Sequence, residues 1–230
     1  MNNEKPVSEA GTGQSGEQSE QPLPTARRRA ARKKKPKALR LFIGLGFPLH
    51  DKLAPLTEDL RKLAQDEPTL RISAPRNLHV TLKFLGTVKP GQVDEIHALC
   101  ASVCARYPQL EVSSQGIGLF KNSLWVGINH QETLSALAAE MNAAGRLLGF
   151  ADDEKDFVPH VTVARFGKDA RAKLLPLLEK FQTAEWGSFT ARKCYLYQSE
   201  TLQEGARYSI LRGYSFASDG AESGVTESPG

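Results

Sequence analysis

His79-Val80-Thr81-Leu82-Lys83-Phe84-Leu85-Gly86 and His160-Val161-Thr162-Val163-Ala164-Arg165-Phe166-Gly167 are two versions of one phrase. Both are rich in β-branched and apolar residues, both end in Gly, and neither carries a helical period, so each reads as a strand. Residues two apart on a strand share a face, and the one between them faces the other way. His79 and Thr81 therefore look one way, as do His160 and Thr162, while Val80, Leu82, Val161 and Val163 are left for a core. With five His and twelve Thr in 230 residues, composition alone gives about a quarter of a His-x-Thr pair. Two pairs in matching flanks therefore point to a duplicated unit. One such pair would read as an ordinary hydrogen-bonded histidine; the matched pair reads as a shared site.

A chain of 230 residues holds one globular domain with tails, or two small lobes. Its 40% hydrophobic content suffices for a core. No apolar run approaches the roughly 18 residues of a membrane span, and no apolar stretch follows Met1-Asn2-Asn3-Glu4-Lys5 as a secretory signal would require. Three cysteines do not make a disulfide framework, and a reducing, cytoplasmic location is expected. The net charge of +4 is unevenly spread. Residues 1–38 hold nine Lys/Arg against four acids, residues 217–230 hold three acids and no base, and residues 39–216 are nearly neutral. The expected organisation is a disordered basic extension over 1–38, a folded domain over 39–216 and a disordered tail over 217–230. The basic run 27–37 reads as a solubilising tail or as an arm for a polyanion such as RNA, and less readily as a nuclear address.

Within the folded part, Arg40–Leu45 reads as a buried strand and 49–64 as a helix through Leu53, Leu56, Leu60 and Leu63. The first His strand closes at Gly86. A helix follows to about Arg106, then strands at Leu110–Val112, Ile117–Phe120 and Leu124–Ile128. A helix over about 131–148 stops at Gly149, and the second His strand and a short helix over 169–181 come next. Two long strands, Phe189–Gln198 and Arg207–Phe216, end the fold. The order predicts an α+β class: two pseudo-symmetric lobes, each a mainly antiparallel sheet with helices on its outer face, and an active-site cleft between them.

Two imidazoles with ordinary pKa near 6.5 divide labour at neutral pH, one as base and one as acid. Two Thr hydroxyls beside them supply neutral donors. That set suits a phosphodiester, whose in-line displacement needs acid and base on opposite sides of phosphorus. The residues resemble the two-histidine phosphoesterase superfamily, with two His-x-Thr-x motifs on strands of duplicated lobes. Arg40-Leu41-Phe42-Ile43, Asn77 through Gly86, Leu124-Trp125-Val126-Gly127 and Pro159 through Arg165 are most similar to its RNA 2′,3′-cyclic phosphodiesterase branch, also known as 2′–5′ RNA ligase. The resemblance spans roughly 39–216. It implies hydrolysis of cyclic-phosphate RNA ends, tRNA fragments among them, to 2′-phosphates by a monomer with no metal or other cofactor. It further implies that His79 donates a proton to the leaving 3′ oxygen, His160 activates water, and Thr81 and Thr162 hold phosphate oxygens. Arg165 falls where the family often has a phosphate-facing Arg, although strict alternation puts it opposite Thr162, so its reach requires a bend. Gly46 stands where the family usually has Asp, and the basic extension lies outside the family domain.

The same residues would serve a 2′–5′ RNA ligase or a small cyclic-nucleotide phosphodiesterase, and a non-catalytic RNA-binding module would use the same cleft. His97, Cys100 and Cys104 share a helix face at metal-ligand spacing, but helix packing is the simpler account. Cys194 reads as core, and His50 and His130 have no motif around them. Phe42, Phe47 and Trp125 read as core, or as stacking platforms if exposed at the cleft. Lys83, by alternation, shares the face of His79 and Thr81, where it would add charge to the cleft or be an ordinary surface Lys.

Overall fold

Leu39–Gly46 forms strand β1, and its five residues from Leu41 to Leu45 are all buried, as in a strand covered on both faces. The computed structural model describes residues 38–129, 131–153, 156–202 and 205–218. The expected disorder of residues 1–37 and 219–230, the basic run and His130 lie outside the described residues. In chain order follow α1 (Ala54–Gln65), β2 (Arg71–Ile72), β3 (His79–Val88), α2 (Val93–Cys104), β4 (Leu110–Leu119) and β5 (Ser123–Ile128). Then come α3 (Glu132–Leu147), β6 (His160–Arg165), α4 (Arg171–Phe181), β7 (Glu185–Ala191), β8 (Lys193–Leu202) and β9 (Gly205–Ser215).

The strands make one antiparallel sheet in the order β7-β4-β5-β6-β3-β1-β8-β9, with β2 added to β6. The expected α+β class holds, and the two lobes are the two halves of this sheet. They meet where Val80 of β3 pairs with Val161 of β6. These are the middle residues of the two motifs, so the internal two-fold passes between them. The helices lie on the core side, with α2 against β8 and β9 and α3 against β3. Their buried stripes, such as Leu134, Leu137, Ala138 and Met141 of α3, follow helical spacing. Among the described residues, no helix is long and apolar enough to cross a membrane.

Three strand expectations need correction. The long strand expected over Phe189–Gln198 breaks at Arg192, and its two parts lie far apart in the sheet order. Ala191 and Lys193 are at most about 7 Å apart along the chain. Across a flat sheet, β7 and β8 would be about 29 Å apart, six strand spacings. The sheet therefore curls until these strands approach each other. The two strands expected within 110–120 are one, β4, and β3 runs past Gly86 to Val88. The reason is shared: Gly86 (φ 67°) and Gly116 (φ 63°) sit at register shifts, where a left-handed glycine forms a bulge and the strand bends without ending.

The packing of β1 on β3 is tight enough to test. A Cβ on Gly44 would lie 2.5 Å from the Val80 carbonyl oxygen, a backbone atom that cannot swing aside. Gly44→Ala is expected to cost about 1–3 kcal/mol, read as a lower urea midpoint with an unchanged m-value.

Candidate active site

Each motif ends on a bulge. Gly44 faces Thr81 and Ile43 faces Lys83, so Leu82 is an extra residue in β3. Trp125 faces Thr162 and Leu124 faces Ala164, so Val163 is the extra residue in β6. An inserted residue inverts the alternation beyond it. Leu82 and Lys83 are consequently both buried, as are Val163 and Ala164, while Phe84 and Arg165 come out on the side of the motif threonines.

The bulges correct one expectation and meet the condition of another. Lys83 does not face the cleft: its side chain is fully buried, with Nζ donating to the Ala151 carbonyl at 2.5 Å and paired with Asp153 at 3.6 Å. Arg165 does reach the cleft, and the bend it required is the bulge at Val163. His79, Thr81, Phe84, His160, Thr162 and Arg165 all line one cavity of about 390 Å³. Counting outward from the antiparallel Val80–Val161 pair sets His79 beside Thr162 and Thr81 beside His160.

The two histidines are held alike. Nδ1–H of His79 donates to the Asn77 carbonyl at 2.6 Å, and Nδ1–H of His160 donates to the Val158 carbonyl at 2.7 Å. A carbonyl only accepts, so Nδ1 carries the proton and Nε2 is left as the working atom of each neutral ring. Each ring also faces a glycine on its outer neighbour, Gly46 for His79 and Gly127 for His160. A Cβ on Gly46 would lie 3.6 Å from the Tyr197 hydroxyl.

Aromatic rings supply the burial. Phe42 stacks on Tyr197 (4.8 Å, 10°) and lies 4.6 Å from His79, which Tyr208 meets edge-on at 5.1 Å. Phe120 meets His160 edge-on at 4.9 Å. Burial pushes His79 down to about 4, opposed by its hydrogen bond to Asn77 and helped by the charges of His160 and Arg165. His160 is also lowered, first by burial and then by Arg165, with the Val158 hydrogen bond opposing. The described lining of the cavity includes no Asp or Glu.

Phe42 is buried, as expected, yet forms a wall of the cavity. Phe47 is buried edge-on to Phe189 at 5.7 Å, and Trp125 is half-buried between Phe120 and His160. The sequence reading missed Phe84, Phe120, Asn77 and Tyr208. For Phe84, which is 59% exposed, the signal was present: it occupies in the first phrase the place that Arg165 occupies in the second.

Residues 47–201 match the sequence profile of the 2′-5′ RNA ligase superfamily. The chain belongs to this superfamily. An RNA 2′,3′-cyclic phosphodiesterase of Methanothermobacter thermautotrophicus is 31% identical over 177 residues, covering 74% of this chain and 94% of that protein. One of Methanocaldococcus jannaschii is 28% identical over 182 residues, covering 76% and 99%. Escherichia coli LigT, solved with 3′-AMP, superposes with a TM-score of 0.62 at 22% identity, over 78% of this chain and 99% of that one. The Thermus thermophilus protein TT0787 gives 0.65 at 21% identity, over 79% and 100%. At such identities the structures speak for a shared fold.

In this superfamily member, the His97 helix face is packing. His97 Nδ1 meets the Tyr214 hydroxyl, and Cys100, Cys104 and Cys194 are all fully buried. Burial pushes the Cys100 thiol up to about 12, far from a thiolate ligand.

Proposed function

We propose that the chain hydrolyses RNA ends bearing a 2′,3′-cyclic phosphate to 2′-phosphates, with His160 as base and His79 as acid. The observation that carries this reading is the pair of Nε2-free imidazoles from opposite halves of the sheet, lining one cavity with two Thr hydroxyls and a guanidinium. His160 Nε2 takes a proton as water forms its bond to phosphorus. His79 Nε2–H gives a proton to O3′ as the P–O3′ bond breaks, leaving the phosphate on O2′. Thr81 and Thr162 donate to non-bridging oxygens, and Arg165 offsets the charge that gathers there. The productive form carries its single proton on His79, with His160 neutral; an arriving phosphate anion stabilises that imidazolium, and the strong depression of His79 makes it the more ready proton donor. The names of the relatives support the substrate class. Both proton transfers are assigned to side chains, so neither step calls on a metal.

The test is turnover of an oligoribonucleotide ending in a 2′,3′-cyclic phosphate, in the presence of a chelator. A 2′-phosphate end is expected. A 3′-phosphate product, or activity that requires added divalent metal, overturns the proposal.

The pH dependence has a definite sign. The reactive free enzyme carries one proton on the histidine pair, and both rings titrate below their ordinary 6.5. The profile of kcat/KM should therefore be a bell with both limbs below about 6.5, while the alkaline limb of kcat lies higher because bound phosphate stabilises the imidazolium. Steady-state rates from about pH 3 to 8 measure both limbs. An alkaline limb of kcat/KM above 6.5 would contradict the burial of these rings.

A further inference from the structure

A second concavity, of about 260 Å³, opens beside the catalytic cavity and shares Ser73, Asn77, Arg165 and Tyr208 with it. Arg71, Arg76 and Arg207 also line it, and the described lining has no Asp or Glu. Arg71 sits directly opposite Arg165 across the β2–β6 pair. Like charges so placed repel and cost stability unless an anion lies between them. The arginine ion pairs among the described residues belong to Arg61, Arg106, Arg146 and Arg207. Arg207 is compensated by Glu200 at 2.7 Å, which leaves Arg71, Arg76 and Arg165 with no such partner among the described residues.

The groove is tied to the catalytic centre through Asn77. Its side chain donates to the Ala206 carbonyl at 2.8 Å and accepts from the Tyr208 amide at 3.3 Å, which fixes the turn Pro75–Asn77 and Arg76 against β9. Its own carbonyl holds His79. The two concavities thus form one cationic path that begins at the histidines.

We infer that this groove receives the phosphodiesters upstream of the terminal nucleotide, so that the substrate is an oligoribonucleotide in preference to a cyclic mononucleotide; this rests on the phosphodiesterase reading above. A terminal nucleoside whose cyclic phosphate sits between the histidines continues the chain through its 5′ oxygen, and each upstream phosphate carries one negative charge. A guanidinium grips such a phosphate through paired N–H donors. Hydrogen bonds of this kind position the strand without reading its bases, so recognition here is independent of sequence.

The experiment compares the full-length protein with its Arg71→Gln/Arg76→Gln double variant. Kinetics are measured on 2′,3′-cyclic AMP and on a tetraribonucleotide ending in a 2′,3′-cyclic phosphate, at about 50 and about 200 mM salt. The wild type should show a KM at least about tenfold lower for the tetranucleotide. The double variant should raise that KM about tenfold while its rates on cyclic AMP stay within about twofold of wild type. The slope of log KM against log salt should flatten by about 0.7 for each phosphate that the variant no longer neutralises, a difference to which the basic arm, present in both proteins, does not contribute. An unchanged tetranucleotide KM overturns the inference, and so does an equal loss on both substrates, which would give these arginines to the catalytic cavity or to the fold. Anisotropy with a 5′-labelled tetranucleotide ending in a 2′-phosphate reads the groove without turnover: weaker binding by the double variant supports it, and equal binding overturns it. If the wild type turns over neither substrate but binds this probe more tightly than the variant does, the phosphodiesterase reading falls and the groove stands.

Discussion

His79→Ala and His160→Ala are each expected to slow turnover of a cyclic-phosphate RNA end by about 10²-fold or more, the lower bound for losing a positioned acid or base. No carboxylate among the described lining residues stands by to replace either ring. The two losses should part on a substrate whose leaving group needs no proton. On a p-nitrophenyl phosphodiester, His79→Ala should lose much less than on RNA, because nitrophenolate departs as the anion. His160→Ala should lose about as much on both, since water must still be activated. The opposite pattern would exchange the two roles, and retained activity in both variants would remove the histidines from the chemistry.

Arg165→Gln should lower kcat by about 10²- to 10³-fold, the usual cost of one donor aimed at developing negative charge, roughly 2.7–4 kcal/mol. It should also move both histidine titrations upward. Burial is the larger cause of their depression and remains, so neither should reach 6.5, but the repulsion that Arg165 exerts on both imidazolium rings is removed. Arg165→Lys separates charge from geometry: the titrations should hold near wild type while kcat still falls, because an ammonium lacks the planar fork. Histidine ring proton shifts followed against pH give the first readout and single-turnover rates the second. Unmoved titrations with unmoved kcat would mean that the guanidinium is turned out of the cavity.

The four motif residues were legible because strand alternation is a local property. Given that His79-Val80-Thr81 is a strand, His79 and Thr81 share a face whatever the rest of the chain does. The duplication and the α+β class were legible for a similar reason, since both follow from patterns within short windows of sequence. Alternation failed one residue beyond each motif. It put Lys83 in the cleft and Arg165 opposite Thr162, and bulges at Leu82 and Val163 reverse both placements.

By itself, the sequence determined the repeated His-x-Thr strands, the faces their side chains share and the apolar stripes of the helices, because each depends on neighbours within a few residues. Only the tertiary structure decided which strands adjoin, that the chain breaks at Arg192 to reach the far side of a curled sheet, and that Arg71 lies opposite Arg165. It also decided the bulges. A bulge is a mismatch between two hydrogen-bonded strands, and β1 pairs with β3 across the 32 residues 47–78 of intervening chain, so no window around the motif contains the partner that creates it.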